Sequence, residues 1–218
     1  MAKASAINTP VHIVLVGDSI FDNASYVDEG DSVVEQLQAV MGNDVTVTLI
    51  AVDGSVTTDV SEQLVDFPDD ASHVIVSCGG NDALSVINIL DARVNTVGAA
   101  MRAMDRERDA FRSNYSNMLE ALLERSPNLV VCTVYNNIPG LGTETVAGLA
   151  LFNEIILEEA IARRLPIIDL RNLCQDVGDY SARSPIEPSA QGGRKIAKAI
   201  QRVVALHAFG TGESRVYV

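Results

Sequence analysis

The sequence predicts a doubly wound α/β fold around a parallel sheet of five strands. Three observations lead there. First, β-branched apolar runs recur at 11–16, 45–52, 73–79, 128–136 and 165–170 without the polar alternation of half-exposed strands, so each strand is covered on both faces. Second, stretches with helical apolar spacing separate these runs, the alternation that gives right-handed crossovers and a functional crevice at the C-terminal strand ends. Third, 47% of residues are hydrophobic and only 5% aromatic, the composition of Val-, Ile-, Leu- and Ala-filled sheets and helices. A length of 218 residues suits one domain over 1–218, with a core from about 11 to about 206 and short tails.

Taken in order, the opening MAKASAINTP holds one Lys and no apolar run of signal length. The first strand runs into Gly17-Asp18-Ser19. Ser32 and Glu35 then form a capping box ahead of the stripe Val33, Val34, Leu37, Val40, Met41. The second strand leads to Gly54, and the third to Gly79-Gly80-Asn81-Asp82. Segment 83–125 reads as two helical stretches parted by the charged run Arg106 to Asp109, a solvated helix face. A long helix is expected over 145–163, and a last one from Pro188-Ser189 through Ile196, Ile200, Val203 and Val204, with Ser189 as N-cap. The tail from Gly210 to Val218 has no periodicity and reads equally as a frayed end or as a strand that pairs elsewhere.

Charge narrows the partners. A net charge of -13 and a pI near 4.5 argue against nucleic acid and anionic membranes, which need clustered Lys and Arg. Neutral or cationic small molecules fit better. No run of about 18 apolar residues offers a membrane span. Cys78, Cys132 and Cys174 show no paired spacing and read as reduced core thiols, so the expected setting is cytoplasmic.

The chemistry gathers at the strand ends. Gly17 allows a sharp turn that projects the Ser19 hydroxyl into the crevice. Gly54 can present a bare backbone N–H, and Asn81 an amide N–H. With the N–H of Ser19, these can converge on a tetrahedral oxyanion. Gly17-Asp18-Ser19-Ile20, Gly54 in AVDGSVTTD and Gly79-Gly80-Asn81-Asp82 resemble the first three blocks of the GDSL or SGNH hydrolase family, and the strand order agrees from about 11 to about 206. The resemblance implies a flavodoxin-like three-layer α/β/α sandwich that hydrolyses esters, thioesters or sugar acetyl groups without a cofactor. It places the nucleophile on Ser19 and the oxyanion donors on Gly54 and Asn81. The Gly54 block can also be aligned one residue later.

The last block departs from the family. Where members carry Asp and, three residues on, His, this chain has Ser184 and Glu187, while Pro188-Ser189-Ala190-Gln191-Gly192-Gly193 keeps the flanking pattern. Each of the three histidines lies elsewhere. His12 is seven residues before Ser19 on one strand, about 20 Å away; His73 opens the third strand, and His207 ends the last helix. All three read as ordinary surface or helix-end residues. Glu187 is therefore the candidate base. A carboxylate at about 4.3 is weaker than imidazole at about 6.5, so burial or like charge from Asp18, Asp22, Asp82 or Asp179 must raise it. The plainer alternative has Glu187 capping the last helix or pairing with Arg183. The same carboxylates match no metal loop, and the glycine turn lacks a nucleotide-binding pattern.

Two functional readings follow. One is a serine ester hydrolase acting through an acyl-enzyme on Ser19. The other is a catalytically degenerate member that binds an ester or acetylated sugar, since loss of both partners of the serine normally costs orders of magnitude in rate.

Overall fold

A computed structural model describes residues 10–218; residues 1–9, most of the expected N-terminal tail, lie outside them. Strands β1 (Val11–Gly17), β2 (Val45–Leu49), β3 (His73–Ser77), β4 (Leu129–Cys132), β5 (Ile167–Ile168) and β6 (Val216–Tyr217) form one sheet in the order β2-β1-β3-β4-β5-β6. Every neighbouring pair is parallel. Helices α1 (Val33–Met41), α2 (Val60–Gln63), α3 (Gly80–Ser85), α4 (Val97–Arg125), α5 (Thr143–Ala162), α6 (Leu170–Leu173) and α7 (Ala190–Leu206) complete the chain.

The period of two along the strands sorts the core into two layers. Val14, Val16, Val74 and Val76 point to one face, under α4 and α5 with Phe111, Tyr115, Leu119 and Ile155. Ile13, Leu15, Ile75 and Val130 point to the other, under α1 and α7 with Leu37, Ile196 and Ile200. Full burial of one such aliphatic side chain is worth about 1.5–3 kcal/mol. The expected three-layer sandwich is therefore present.

The sheet has six strands, one more than the sequence predicts. Ile167 N–H donates to Arg215 O and Asp169 N–H to Tyr217 O, both at 2.9 Å, so the tail closes the free edge of β5 and buries Tyr217. A run of two residues is too short to carry a period, which is why the sequence left the tail open. A second correction concerns 83–125. The break falls at 92–96, and α4 runs unbroken through Arg106 to Asp109. That charged run is partly held to α5, since Arg108 bridges Glu154 at 2.9 Å.

His12 is not a surface residue. It is buried at the N-terminal edge of the sheet, with Nδ1 2.8 Å from Asp70 Oδ1 and Nε2 2.8 Å from Thr48 Oγ1. Among the described residues no helix is long and apolar enough to cross a membrane. The three cysteines are free and buried.

Candidate active site

The turn after β1 is built by close approach. Gly17 has φ +120, and a Cβ there would stand 1.8 Å from Ser77 O, so only glycine lets β1 press against the end of β3. Gln63 of α2 clamps the same residue, donating to Gly17 O at 2.7 Å and accepting from Gly17 N–H at 2.9 Å. Beyond it the N–H groups of Phe21 and Asp22 fold back on Asp18 O. Ile20 N–H donates to Asp18 Oδ1 at 3.2 Å. Ser19 is thereby held at the C-terminal strand edge, 8% exposed.

Asn81 lies in the first turn of α3. Its Nδ2 donates to Ser55 O at 3.0 Å, and an amide nitrogen carries a second N–H that this bond does not use. The neighbouring Asp82 accepts from Thr57 Oγ1 at 2.6 Å and from Thr57 N–H at 3.1 Å. Two adjacent residues of α3 thus hold the 51–58 turn. Gly54 sits in that turn at φ +82, open to solvent. Ser19 and Asn81 share the wall of one groove, whereas Gly54 lies outside its lining.

Glu187 is fixed by its backbone. Its N–H reaches Ser184 O, its carbonyl accepts from Ser181 N–H at 2.9 Å, and Pro188 O takes the Asn23 amide at 3.1 Å. Neither plainer role for its side chain is realised. Ser189 caps α7, accepting from Gln191 and Gly192 N–H, and Arg183 pairs with Asp28. The Glu187 side chain is 3% exposed and its Oε2 has no hydrogen-bond partner among the described residues. Burial raises its pKa above the ordinary Glu value and the Asp53 charge adds to the rise, while the hydroxyls of Ser184 and Ser19 pull against it. Ser19 Oγ is thus close enough to act on the carboxyl, without a hydrogen bond of ordinary length closing between them; such contacts tighten when substrate binds.

The expected sources of like charge divide. Asp179 faces away, bound to Lys195 at 2.7 Å and to Gln191 at 2.9 Å. Asp18 lies buried behind the nucleophile, and burial pushes its carboxyl up to about 7 against the Ile20 hydrogen bond, with the Asp82 charge adding to the rise. Asp53, the charge that reaches Glu187, was not singled out by sequence reasoning, nor were Gln63, Thr57 and Asn23. Their signal lay only in proximity to the glycine blocks, which does not say where a side chain points.

Beside Ser19 opens a groove of about 850 Å3, counting its mouth. Its walls are apolar, with Ile87, Leu90, Met104, Leu141, Leu149 and Phe152 among them. Residues of segments 83–90 and 138–145 supply much of it, and Ile20 closes it beside the nucleophile.

Residues 15–195 match the GDSL-like lipase/acylhydrolase family. The chain belongs to that family. It is a family of lipolytic and esterase-type hydrolases. No curated protein sequence matches this GDSL-family chain. Among solved structures it is similar to a lipase/acylhydrolase from Enterococcus faecalis, at 23% identity and TM-score 0.63 over 89% of this chain and 95% of that one. It also resembles a lipase from a goat rumen metagenome, at 17% identity and TM-score 0.69 over 93% and 100%. An acetyl xylan esterase follows at 16% identity and TM-score 0.66 over 89% and 100%. At these identities the likeness establishes the fold.

Proposed function

We propose that the protein is a serine ester hydrolase that works through an acyl-enzyme on Ser19. The observation that carries this reading is the buried carboxyl of Glu187 beside Ser19, with a raised pKa and one oxygen unpartnered. A carboxylate so placed is a stronger base than an exposed one, because desolvation disfavours its charged form. Glu187 takes the Ser19 proton as Oγ attacks the ester carbonyl carbon. The oxyanion that forms is held by the N–H groups of Ser19 and Gly54 and the free amide N–H of Asn81. The bond to the alcohol oxygen then breaks, and Glu187 returns the proton to that oxygen. Water repeats the sequence on the acyl-enzyme: Glu187 takes its proton, the acid leaves, and Ser19 Oγ is protonated again. The apolar groove suits the acyl chain of a small-molecule ester. No step draws on a cofactor, and the buried free thiols fit a cytoplasmic setting.

One observation favours a second reading. No hydrogen bond joins Ser19 Oγ to a base among the described residues, as expected of a degenerate member that only binds an ester or acetylated sugar. Hydrolysis of short p-nitrophenyl esters by wild type and Ser19→Ala separates the two. Turnover abolished by the substitution supports the hydrolase; equal, negligible rates in both support the binding protein.

A further inference from the structure

The two sides of Ser19 differ in kind. The groove that takes one side is apolar, and none of Asp22, Tyr26, Asp53 or Glu187 lines it. These four residues form the other side. Asp22 Oδ2 accepts from Asp53 N–H at 2.9 Å, and the Tyr26 hydroxyl donates to Asp53 Oδ2 at 2.6 Å. Glu187 feels both the Asp53 charge and the Ser19 hydroxyl, and its buried Oε2 has no partner among the described residues. The charges of Asp53, Glu187 and Asp22 all act on Tyr26, whose hydroxyl is pushed up to about 12, chiefly by its hydrogen bond to Asp53.

Elsewhere several carboxylates are neutralised by a cation, although Asp18 and Asp82 are held only by neutral donors. Asp28 pairs with Arg183, Asp169 with Arg171, and Asp176 and Asp179 with Lys195. Among the described residues no Lys, Arg or His pairs with Asp22, Asp53 or Glu187. Nor do these carboxylates converge as a metal site would require: no group of three or more potential ligands among the described residues could hold an ion. Spread carboxylates around a half-exposed tyrosine ring suit a larger, diffuse cation.

We propose that this face receives the alcohol half of the substrate, and that the alcohol carries a bulky organic cation such as a quaternary ammonium group. The inference rests on the Ser19 hydrolase reading and names the substrate class for it. Its physical ground is charge balance. Glu187 is neutral once it has taken the Ser19 proton, but an oxyanion forming near Asp53 is still opposed by like charge, and a cation on the departing alcohol offsets that opposition. The net charge of -13 also draws cations toward the crevice.

The test compares butyrylcholine with its uncharged isostere, 3,3-dimethylbutyl butyrate. Wild type should favour the cation in kcat/KM by about tenfold at low salt, equivalent to about 1.4 kcal/mol, and the ratio should fall as salt rises. Asp53→Asn keeps an acceptor for Tyr26 and removes the charge, so the ratio should drop toward one. A wild-type ratio of one or less, or a ratio unchanged in Asp53→Asn, overturns the inference while leaving the hydrolase reading intact. If neither ester is hydrolysed, calorimetry with butyrylcholine decides: binding that weakens in Asp53→Asn upholds the cation site although the hydrolase reading has failed, and no binding to wild type overturns it.

Discussion

The sequence pattern around Pro188 sets Glu187 against the family's histidine, and in the proposed mechanism its surroundings supply what a carboxyl needs in that role. It is buried and has no cationic partner among the described residues, so its proton affinity rises. Such a group is available as base only when ionised, so hydrolysis should increase with pH through a limb above the ordinary Glu value of 4.5. Asn81 is the other residue with a sharp expectation. Its amide is already half committed to Ser55 O, which fixes the remaining N–H in direction. Asn81→Ala should lower kcat by about 10²–10³ and leave KM nearly unchanged; an equal rise in KM would point to ground-state binding instead. At this scale the sequence marks Ser19, Asn81 and Glu187 as candidates, because each lies within two residues of a glycine or proline that dictates the backbone. Asp53 was not legible: its effect on Glu187 depends on two turns distant in sequence meeting at the sheet edge.

At the level of elements, α3 does more than present Asn81. Its next residue, Asp82, accepts from both the N–H and the hydroxyl of Thr57, so the helix ties down the 51–58 turn. Asp82→Ala should let the turn drift and cost about 10- to 100-fold in kcat, since small misplacements of catalytic groups carry penalties of that order. Thr57→Val, which removes only the hydroxyl contact, should fall between Asp82→Ala and wild type. Equal kcat in all three would show that the turn is held by other bonds, such as that from Gln63 to Ser55 Oγ. Strands and helices with a clear apolar period were legible, among them the Ser32–Glu35 capping box and the Ser189 cap. The short β6 and the true break before α4 were not, because neither has enough residues to show a period.

Across the molecule, the buried carboxyls set how stability depends on pH. Asp18 titrates near 7 in the folded chain against 3.8 for the ordinary side chain. The folded state therefore holds this proton more tightly than the unfolded state. The stability it contributes is complete below about pH 4 and is lost as pH rises toward 7, by an amount on the order of 4 kcal/mol. Asp18→Asn removes the ionisation, so its Tm relative to wild type should be near equal at pH 4 and several degrees higher at pH 8. A Tm difference independent of pH would show that Asp18 does not titrate in this range. The whole-molecule architecture was legible from the unbroken apolar strands alone. The division of the crevice into an apolar and an acidic side was not, because it depends on which side chains face each other across loops.

The proposed catalysis depends on Glu187 serving Ser19. Its most direct test is kcat/KM for a p-nitrophenyl ester against pH, in wild type and Glu187→Gln. A wild-type limb rising with pH from above 4.5, together with a loss of about 10²–10⁴ in Glu187→Gln, is the predicted result. A Gln variant that retains both rate and limb would contradict it.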